Sequence, residues 1–141
     1  MVKIKSNFSP DEKIFSTKIK GITLSELKKF TSSTRGKLSD FWDKKRKKFF
    51  IPGVMIIGMF RYVVEKLHKE QTDFPISKIK AFYGSNGGTV ENRVYLNEDL
   101  IHSIALRSIL KGKYLFEIEV SREETKEIVL KGLFQIIPEK N

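Results

Sequence analysis

The most constraining feature of this sequence is an apolar stretch over residues 49–67. Within residues 54–64, Arg61 is the only formally charged residue, and large apolar residues point in every direction around a helix. A helix that is apolar all round is buried on most of its faces. Pro52 suits the first helical position, because its missing N–H would have no partner there. The run is shorter than the about 20 residues of a membrane span, so it predicts a central core helix over about 52–69.

The chain beyond Pro75 changes from a helical period to a period of two. Alternating apolar residues predict strands, and the short turns between them predict antiparallel pairing. The predicted strands cover residues 76–83, 90–96, 100–110, 114–120 and 128–137, with a glycine-rich loop at 84–88. Upstream, residues 13–20 predict a first strand, and the Thr23–Glu26 spacing predicts a capping box that starts a short helix. The pattern predicts an α+β fold in a single domain over 1–141, with the sheet mainly at 76–137.

Composition limits the chemistry. The 141 residues include no Cys, which excludes disulfides, thiolate zinc sites and Cys nucleophiles. Two His residues, with no carboxylate cluster at ligand spacing, lead us to expect no metal and no cofactor. The formal charge of +10 favours anionic partners: nucleic acid, an acidic protein or a phosphate-bearing molecule. The first residues show no apolar leader, so we expect a cytoplasmic location.

Three segments carry a resemblance to a known family. Residues 50–57 (FIPGVMII) are similar to the opening of a family helix, and residues 93–100 (RVYLNEDL) to its "PV-x-x-GD-x-L" strand and turn. Residues 23–27 with Phe30 resemble the short helix that precedes the active-site loop. The chain thus resembles the hotdog superfamily, most closely MaoC-like (R)-specific enoyl-CoA hydratases and β-hydroxyacyl-ACP dehydratases. This resemblance implies a curved antiparallel sheet wrapped around one long central helix, and acyl-CoA or acyl carrier protein as partner.

The catalytic residues of the family are missing at the matching positions. MaoC-like hydratases have an Asp and a His after the short helix, whereas residues 33–45 offer only Asp40 and Asp43. The ACP dehydratases have a His eight residues before the helix proline and an acid six residues after it. Here those positions are Lys44 and Gly58. The resemblance therefore implies an acyl-thioester-binding subunit that is non-catalytic or depends on a partner, as a homodimer or a heterodimer with another hotdog subunit.

Two sets of residues are candidates for ligand binding. The first, at the start of the predicted helix, would contact the acyl thioester, with core packing as the alternative: Pro52, Gly53, Met55, Gly58 and Met59. The second is a basic run that would bind a phosphate or an acyl carrier protein, with a solvated loop as the alternative: Lys44, Lys45, Arg46, Lys47 and Lys48. Gly58 either leaves room for a ligand or allows close helix–sheet packing.

The sequence is also compatible with other functions. Catalysis is undecided; if the chain is active, it is an enoyl-thioester hydratase or dehydratase, or a hotdog acyl-CoA thioesterase. A basic nucleic-acid- or polyanion-binding protein is the alternative from another class. His102 shares a strand face with Leu100 and Ile104, which predicts a hydrogen-bonded histidine inside the sheet rather than a catalyst.

Overall fold

The computed structural model describes residue 8 and residues 12–84, 89–90 and 92–139. The strands are β1 (Ile14–Ile19), β2 (Trp42–Asp43), β3 (Lys48–Ile51), β4 (Ile79–Gly84), β5 (Thr89–Val90), β6 (Val94–Tyr95), β7 (Leu100–Leu110), β8 (Lys113–Arg122) and β9 (Ile128–Pro138). The helices are α1 (Leu24–Ser33), α2 (Gly53–Gly58) and α3 (Phe60–Glu70), with a 3-10 turn at Leu38–Phe41. Antiparallel strands that follow a helical segment confirm the predicted α+β class.

The main sheet has the order β1-β7-β8-β9-β4, and β5 also pairs with β9. All of its pairs are antiparallel, as the alternating sequence predicts. On β7 and β8, alternate residues such as Ile104, Phe116 and Ile118 are buried on the face toward α3. Val63, Val64 and Leu67 of α3 are fully buried in the same cluster. The core therefore lies between this helix and one face of the sheet.

The start of α1 follows the predicted capping box. The backbone N–H of Glu26 donates to the Thr23 hydroxyl at 3.2 Å, and the Glu26 carboxylate accepts from the Thr23 backbone N–H at 3.2 Å. Two otherwise unpaired backbone donors are satisfied in this way. The helix then buries Leu27 completely.

The central helix differs from the predicted continuous helix over 52–69. It is divided at Met59 into α2 and α3, where the Met59 N–H bonds to the carbonyl of Ile56 at 3.3 Å, a tighter 3-10-type turn. Pro52 stands one position earlier than predicted, because its extended backbone (φ −65°, ψ 143°) makes it the N-cap rather than the first helical residue.

The central helix is also less buried than an all-round apolar pattern predicts. Val54 is 61% exposed and Tyr62 is 56% exposed, and Gly58 lies between them on the same exposed side. Their spacing of four residues places them in one row. The prediction of burial on most faces is therefore wrong for this row, since the sheet covers only the opposite side of the helix.

A second, three-stranded sheet was not predicted. It has the order β2-β3-β6, and it pairs Phe50 with Tyr95 and Ile51 with Val94. The single strand predicted at 90–96 is consequently wrong: β5 joins the main sheet, whereas β6 joins this small one. Residues 85–88 of the predicted glycine-rich loop lie outside the described residues.

Candidate functional site

Asp43 organises the basic run as a β-hairpin turn. Its Oδ1 accepts the backbone N–H groups of Lys45 and Arg46, each at 3.0 Å. Its Oδ2 accepts from the Tyr95 hydroxyl at 2.7 Å and from Arg93 at 3.2 Å. The Arg46 backbone donor, followed by Tyr95 and Arg93, lowers the pKa of Asp43 to about 2. Both oxygens of this carboxylate therefore accept hydrogen bonds that stabilise the hairpin.

Asp40, the other predicted catalytic candidate, has a local role. Its Oδ2 accepts the backbone N–H of Lys37 at 3.2 Å, which closes the 3-10 turn that begins at Leu38. The side chain is exposed and lies among solvent-facing residues. Neither aspartate has a hydrogen bond to a histidine among the described residues. Neither carboxylate is therefore part of an Asp–His acid–base pair there.

The basic run divides into two groups. Arg46 and Lys48 line a cleft of about 440 Å³ beneath the hairpin, together with Arg93, Tyr95 and Arg122. Lys44, Lys45 and Lys47 are exposed but do not line this cleft. The cleft contains four basic side chains against the carboxylates of Glu98 and Glu127, so its lining is net positive.

Cation–π contacts orient two of the four basic side chains of the cleft. The Lys48 ammonium lies 4.2 Å from the centre of the Tyr95 ring, and the Arg93 guanidinium lies 4.1 Å from that of Phe50. Such contacts orient a cation while leaving its donors available to an anion. Arg93 and Tyr95 were missed as site residues. Arg93 directly precedes β6 and Tyr95 ends it, and both side chains bond to Oδ2 of Asp43.

Arg122 closes the other side of the cleft. Its guanidinium bonds to Glu98 and to the carbonyl of Arg93, and its Nε lies 3.5 Å from Glu127. Although burial opposes the charge, the bonds with Glu98 and Glu127 raise the pKa of Arg122. This arginine ties the 97–99 turn to the hairpin between β8 and β9.

The predicted acyl-contact residues do not meet in one pocket. Met55 and Met59 pack partly against the core, and Met59 lines a groove of about 770 Å³ beside Tyr62 and β1. Pro52 and Gly53 are partly exposed where β3 leads into α2. A Cβ atom on Gly58 would meet nothing within 4 Å, so the alternative of close helix–sheet packing at Gly58 is wrong.

His102 lines a small apolar cavity and is not hydrogen-bonded to another described residue. It is 1% exposed, and neither ring nitrogen has a hydrogen-bond partner in the described part of the chain. Burial lowers its pKa to about 4, so the ring is neutral at pH 7. The prediction that His102 is hydrogen-bonded is therefore wrong. Its cavity lies beneath α2, against Ile56, Ile57 and Phe60.

His68 lies in the last turn of α3. Its Nδ1 lies 3.0 Å from the carbonyl oxygen of Phe74. Over the described ranges, no group of three His, Asp or Glu side chains could hold a metal ion. No helix among those residues is both long and apolar enough to cross a membrane.

Comparison with solved structures identifies the architecture. The (R)-hydratase from A. caviae involved in PHA biosynthesis superposes with a TM-score of 0.65 at 7% identity, over 95% of this chain and 100% of that chain. The HadBC (3R-hydroxyacyl-ACP dehydratase) complex from Mycobacterium tuberculosis gives 0.64 at 9% identity, over 93% and 98%. These are hotdog-fold proteins. The chain has the hotdog fold.

Other hotdog proteins with different activities are similar to this chain to a comparable degree. A 1,4-dihydroxy-2-naphthoyl-CoA thioesterase from Synechocystis gives a TM-score of 0.58 at 7% identity, over 89% of this chain and 81% of that chain. No protein-family model matches the sequence, and none of the curated proteins compared with it does. Likeness at such identity defines the hotdog architecture, and function has to be argued from the site.

Proposed function

We propose that this hotdog chain binds an acyl thioester carried by CoA or an acyl carrier protein, as a MaoC-like subunit without the usual acid–base pair. The observation that carries the proposal is that a basic cleft and the apolar helix α2 are joined by a short stretch of chain. Lys48, the first residue of β3, lines the cleft, and residues 49–52 connect it along the chain to α2. An elongated ligand with a phosphate at one end and an acyl chain at the other matches this order of surfaces.

The pKa, hydrogen bonds and exposure of the candidate acids support the proposal that the chain is inactive by itself. A general base works best with a pKa near the working pH. The pKa of Asp43 is held at about 2, and both carboxylate oxygens already accept hydrogen bonds. Asp40 is exposed at a turn, and His102 is neutral with no acidic partner in the described residues. Hydration or dehydration would then need groups from a partner hotdog subunit, in a homodimer or a heterodimer.

The test is a titration with a short-chain acyl-CoA, a long-chain acyl-CoA and an unrelated oligonucleotide at physiological salt. We expect saturable acyl-CoA binding that strengthens with chain length, and no enoyl-CoA hydration or acyl-CoA hydrolysis by the chain alone. Equal or tighter oligonucleotide binding, with no dependence on the acyl chain, would overturn the proposal. Turnover that is lost in Asp40→Asn or Asp43→Asn would instead place an active site at the 3-10 turn and hairpin.

A matched pair of charge reversals locates the phosphate. The double variant Arg46→Glu/Lys48→Glu changes the lining of the cleft, whereas Lys44→Glu/Lys45→Glu makes the same change in charge outside it. We expect the first to weaken acyl-CoA binding by about tenfold or more, because hydrogen bonds to charged groups are lost, and the second to have little effect. Equal weakening by both variants would indicate only general attraction to the basic surface.

Polyanion binding is the second candidate, and the exposed hairpin turn favours it. Lys44, Lys45 and Lys47 project into solvent on a chain of net charge +10. Phosphate contacts of this kind give affinity that falls steeply with salt. Oligonucleotide affinity that persists at physiological salt and is lost in Lys44→Glu/Lys45→Glu would establish this function.

A further inference from the structure

His102 is a buried histidine whose hydrogen-bonding capacity is unsatisfied among the described residues. His102 lies on the inner face of the main sheet, where its neighbours across the strands are Thr17 and Val120. Both ring nitrogens are without partners among the described residues. Thr17 is itself engaged elsewhere, because its hydroxyl bonds with Glu70 and Lys66. Buried polar atoms in native structures are nearly always paired, so these two nitrogens need an explanation.

The surroundings of His102 form a small apolar cavity. His102 is the single polar side chain in the lining, which otherwise comprises Ile56, Ile57, Phe60, Ile118, Val120, Leu130 and Phe134. The cavity volume is about 10 Å³, close to the least that holds one water molecule. The space therefore suits one oxygen atom rather than a branched or bulky group.

The chemistry of the lining restricts the ligand group further. A neutral imidazole offers one N–H donor and one acceptor nitrogen. The other lining side chains cannot compensate an ionised group, and moving an unpaired charge into such a site is strongly unfavourable. An uncharged hydroxyl or keto oxygen satisfies the histidine, whereas a carboxylate or an ammonium group does not suit the cavity.

The approach to the cavity is from the side of α2. Ile57 is the one partly exposed residue of the lining, and the other lining residues are buried. α2 has six residues, of which Ile56 alone is fully buried, and the turn at Met59 separates it from α3. A segment with so few buried contacts can move at a lower free energy than the rest of the core. An acyl chain that passes Ile57 would reach His102 by displacing this short helix.

We propose that the cavity beneath α2 is the inner end of the acyl site, and that His102 selects acyl chains with an uncharged hydroxyl or keto oxygen remote from the thioester. The oxygen is placed away from the thioester because the proposed function puts the carrier end of the ligand in the surface cleft lined by Lys48, whereas His102 is 1% exposed. This inference rests on the acyl-thioester function proposed above.

The test compares hexanoyl-CoA with its 4-hydroxy, 5-hydroxy and 6-hydroxy derivatives in equilibrium binding. We expect one regioisomer to bind the wild-type chain about tenfold more tightly than hexanoyl-CoA, the size of effect that one hydrogen bond to an otherwise unpaired group gives. His102→Leu should abolish that preference, measured as the ratio of the affinities for the hydroxylated acyl-CoA and hexanoyl-CoA in the same variant. His102→Gln, which retains a donor and an acceptor, should keep part of the preference and guards against a folding defect in the leucine variant.

A second measurement follows the imidazole itself. The ¹⁵N chemical shifts of the His102 ring should change when the preferred regioisomer binds and remain unchanged with hexanoyl-CoA. Acyl-CoA binding with no regioisomer preferred, or a preference that persists in His102→Leu, would overturn this inference alone and leave a buried water as the partner of His102. Failure of every acyl-CoA to bind would overturn the proposed function as well.

Discussion

The Tyr95 hydroxyl donates a 2.7 Å hydrogen bond to Oδ2 of Asp43, and this bond joins two segments that are 52 residues apart. Burial, with the adjacent carboxylate, raises the pKa of Tyr95, so the phenol remains a donor across the neutral range. The same aspartate holds the turn of the basic hairpin through Lys45 and Arg46. The shape of the basic cleft therefore depends on a contact between β2 and β6.

We expect Tyr95→Phe to lower the free energy of unfolding by about 1 kcal/mol, the usual net value of one lost hydrogen bond. It should also raise the pKa of Asp43 from about 2 toward 3.8, because a donor to the carboxylate is removed. Urea unfolding and an NMR titration of the carboxyl group measure the two effects. The control is Tyr62→Phe at a tyrosine that is 56% exposed. Equal destabilisation by both variants would contradict the role of the Asp43 bond.

The low pKa of Asp43 should make the free energy of unfolding depend on pH in acid. The folded-state pKa is below the ordinary value of 3.8, so the ionised carboxylate stabilises the folded chain above about pH 3.8. That stabilisation is lost as the pH falls toward 2.

Two glycines should respond oppositely to alanine. A Cβ on Gly58 would meet nothing within 4 Å, whereas a Cβ on Gly21 would lie 2.3 Å from the backbone carbon of Asn97. We expect Gly58→Ala to stabilise the chain by about 0.5–1 kcal/mol, because alanine favours the helix. Gly21→Ala should destabilise it, because the 97–99 turn has to move. Thermal unfolding measures both changes, and a stabilising Gly21→Ala would contradict the close approach at this turn.

The sequence predicts much of the main sheet because local patterns determine it. β7 spans Leu100–Leu110 as predicted, and β8 and β9 follow the alternating residues closely. The capping box at Thr23 is likewise a local signal, since both of its bonds join residues three apart. Each of these elements is specified by neighbours within one strand or one helical turn.

The small sheet and the basic cleft could not be predicted in the same way. β2 and β6 have two residues each, too few to show a period. The side chains that bond to Asp43, those of Arg93 and Tyr95, come from a distant segment. The sequence around Asp43 gives no sign of these partners, and for that reason Asp43 was a catalytic candidate. Similarly, the pattern of α2 and α3 is apolar on several faces, and only the packed structure shows which face the sheet covers.

Ion pairs should contribute to stability according to their exposure. Arg122 is 14% exposed in its side chain and bonds to Glu98 and Glu127, whereas the Lys13–Asp73 pair is 66% and 54% exposed. We expect Arg122→Gln to cost about 2–3 kcal/mol, because it leaves two partly buried carboxylates without their cation. Lys13→Gln should cost less than about 1 kcal/mol, as for most surface pairs. Denaturant unfolding of both variants provides the comparison, and similar losses would contradict the structural role of Arg122.

His102 should make stability fall between pH 6.5 and pH 4. Burial lowers its folded-state pKa from 6.5 to about 4, so the unfolded chain binds a proton more readily in this range. The stabilisation is fully present above pH 6.5 and is lost as the pH falls through about 4. At about 1.4 kcal/mol per pH unit, the total loss is about 3 kcal/mol.

The measurement is the free energy of unfolding against pH for the wild type and for His102→Leu. Carboxylates also titrate near pH 4, so the difference between the wild type and the variant isolates the histidine. His102→Leu should flatten the fall between pH 6.5 and 4, because no titrating group remains in the cavity. Identical slopes in the wild type and His102→Leu would show that the ring is already paired or solvated, and that the cavity beneath α2 has no unsatisfied histidine to offer a ligand.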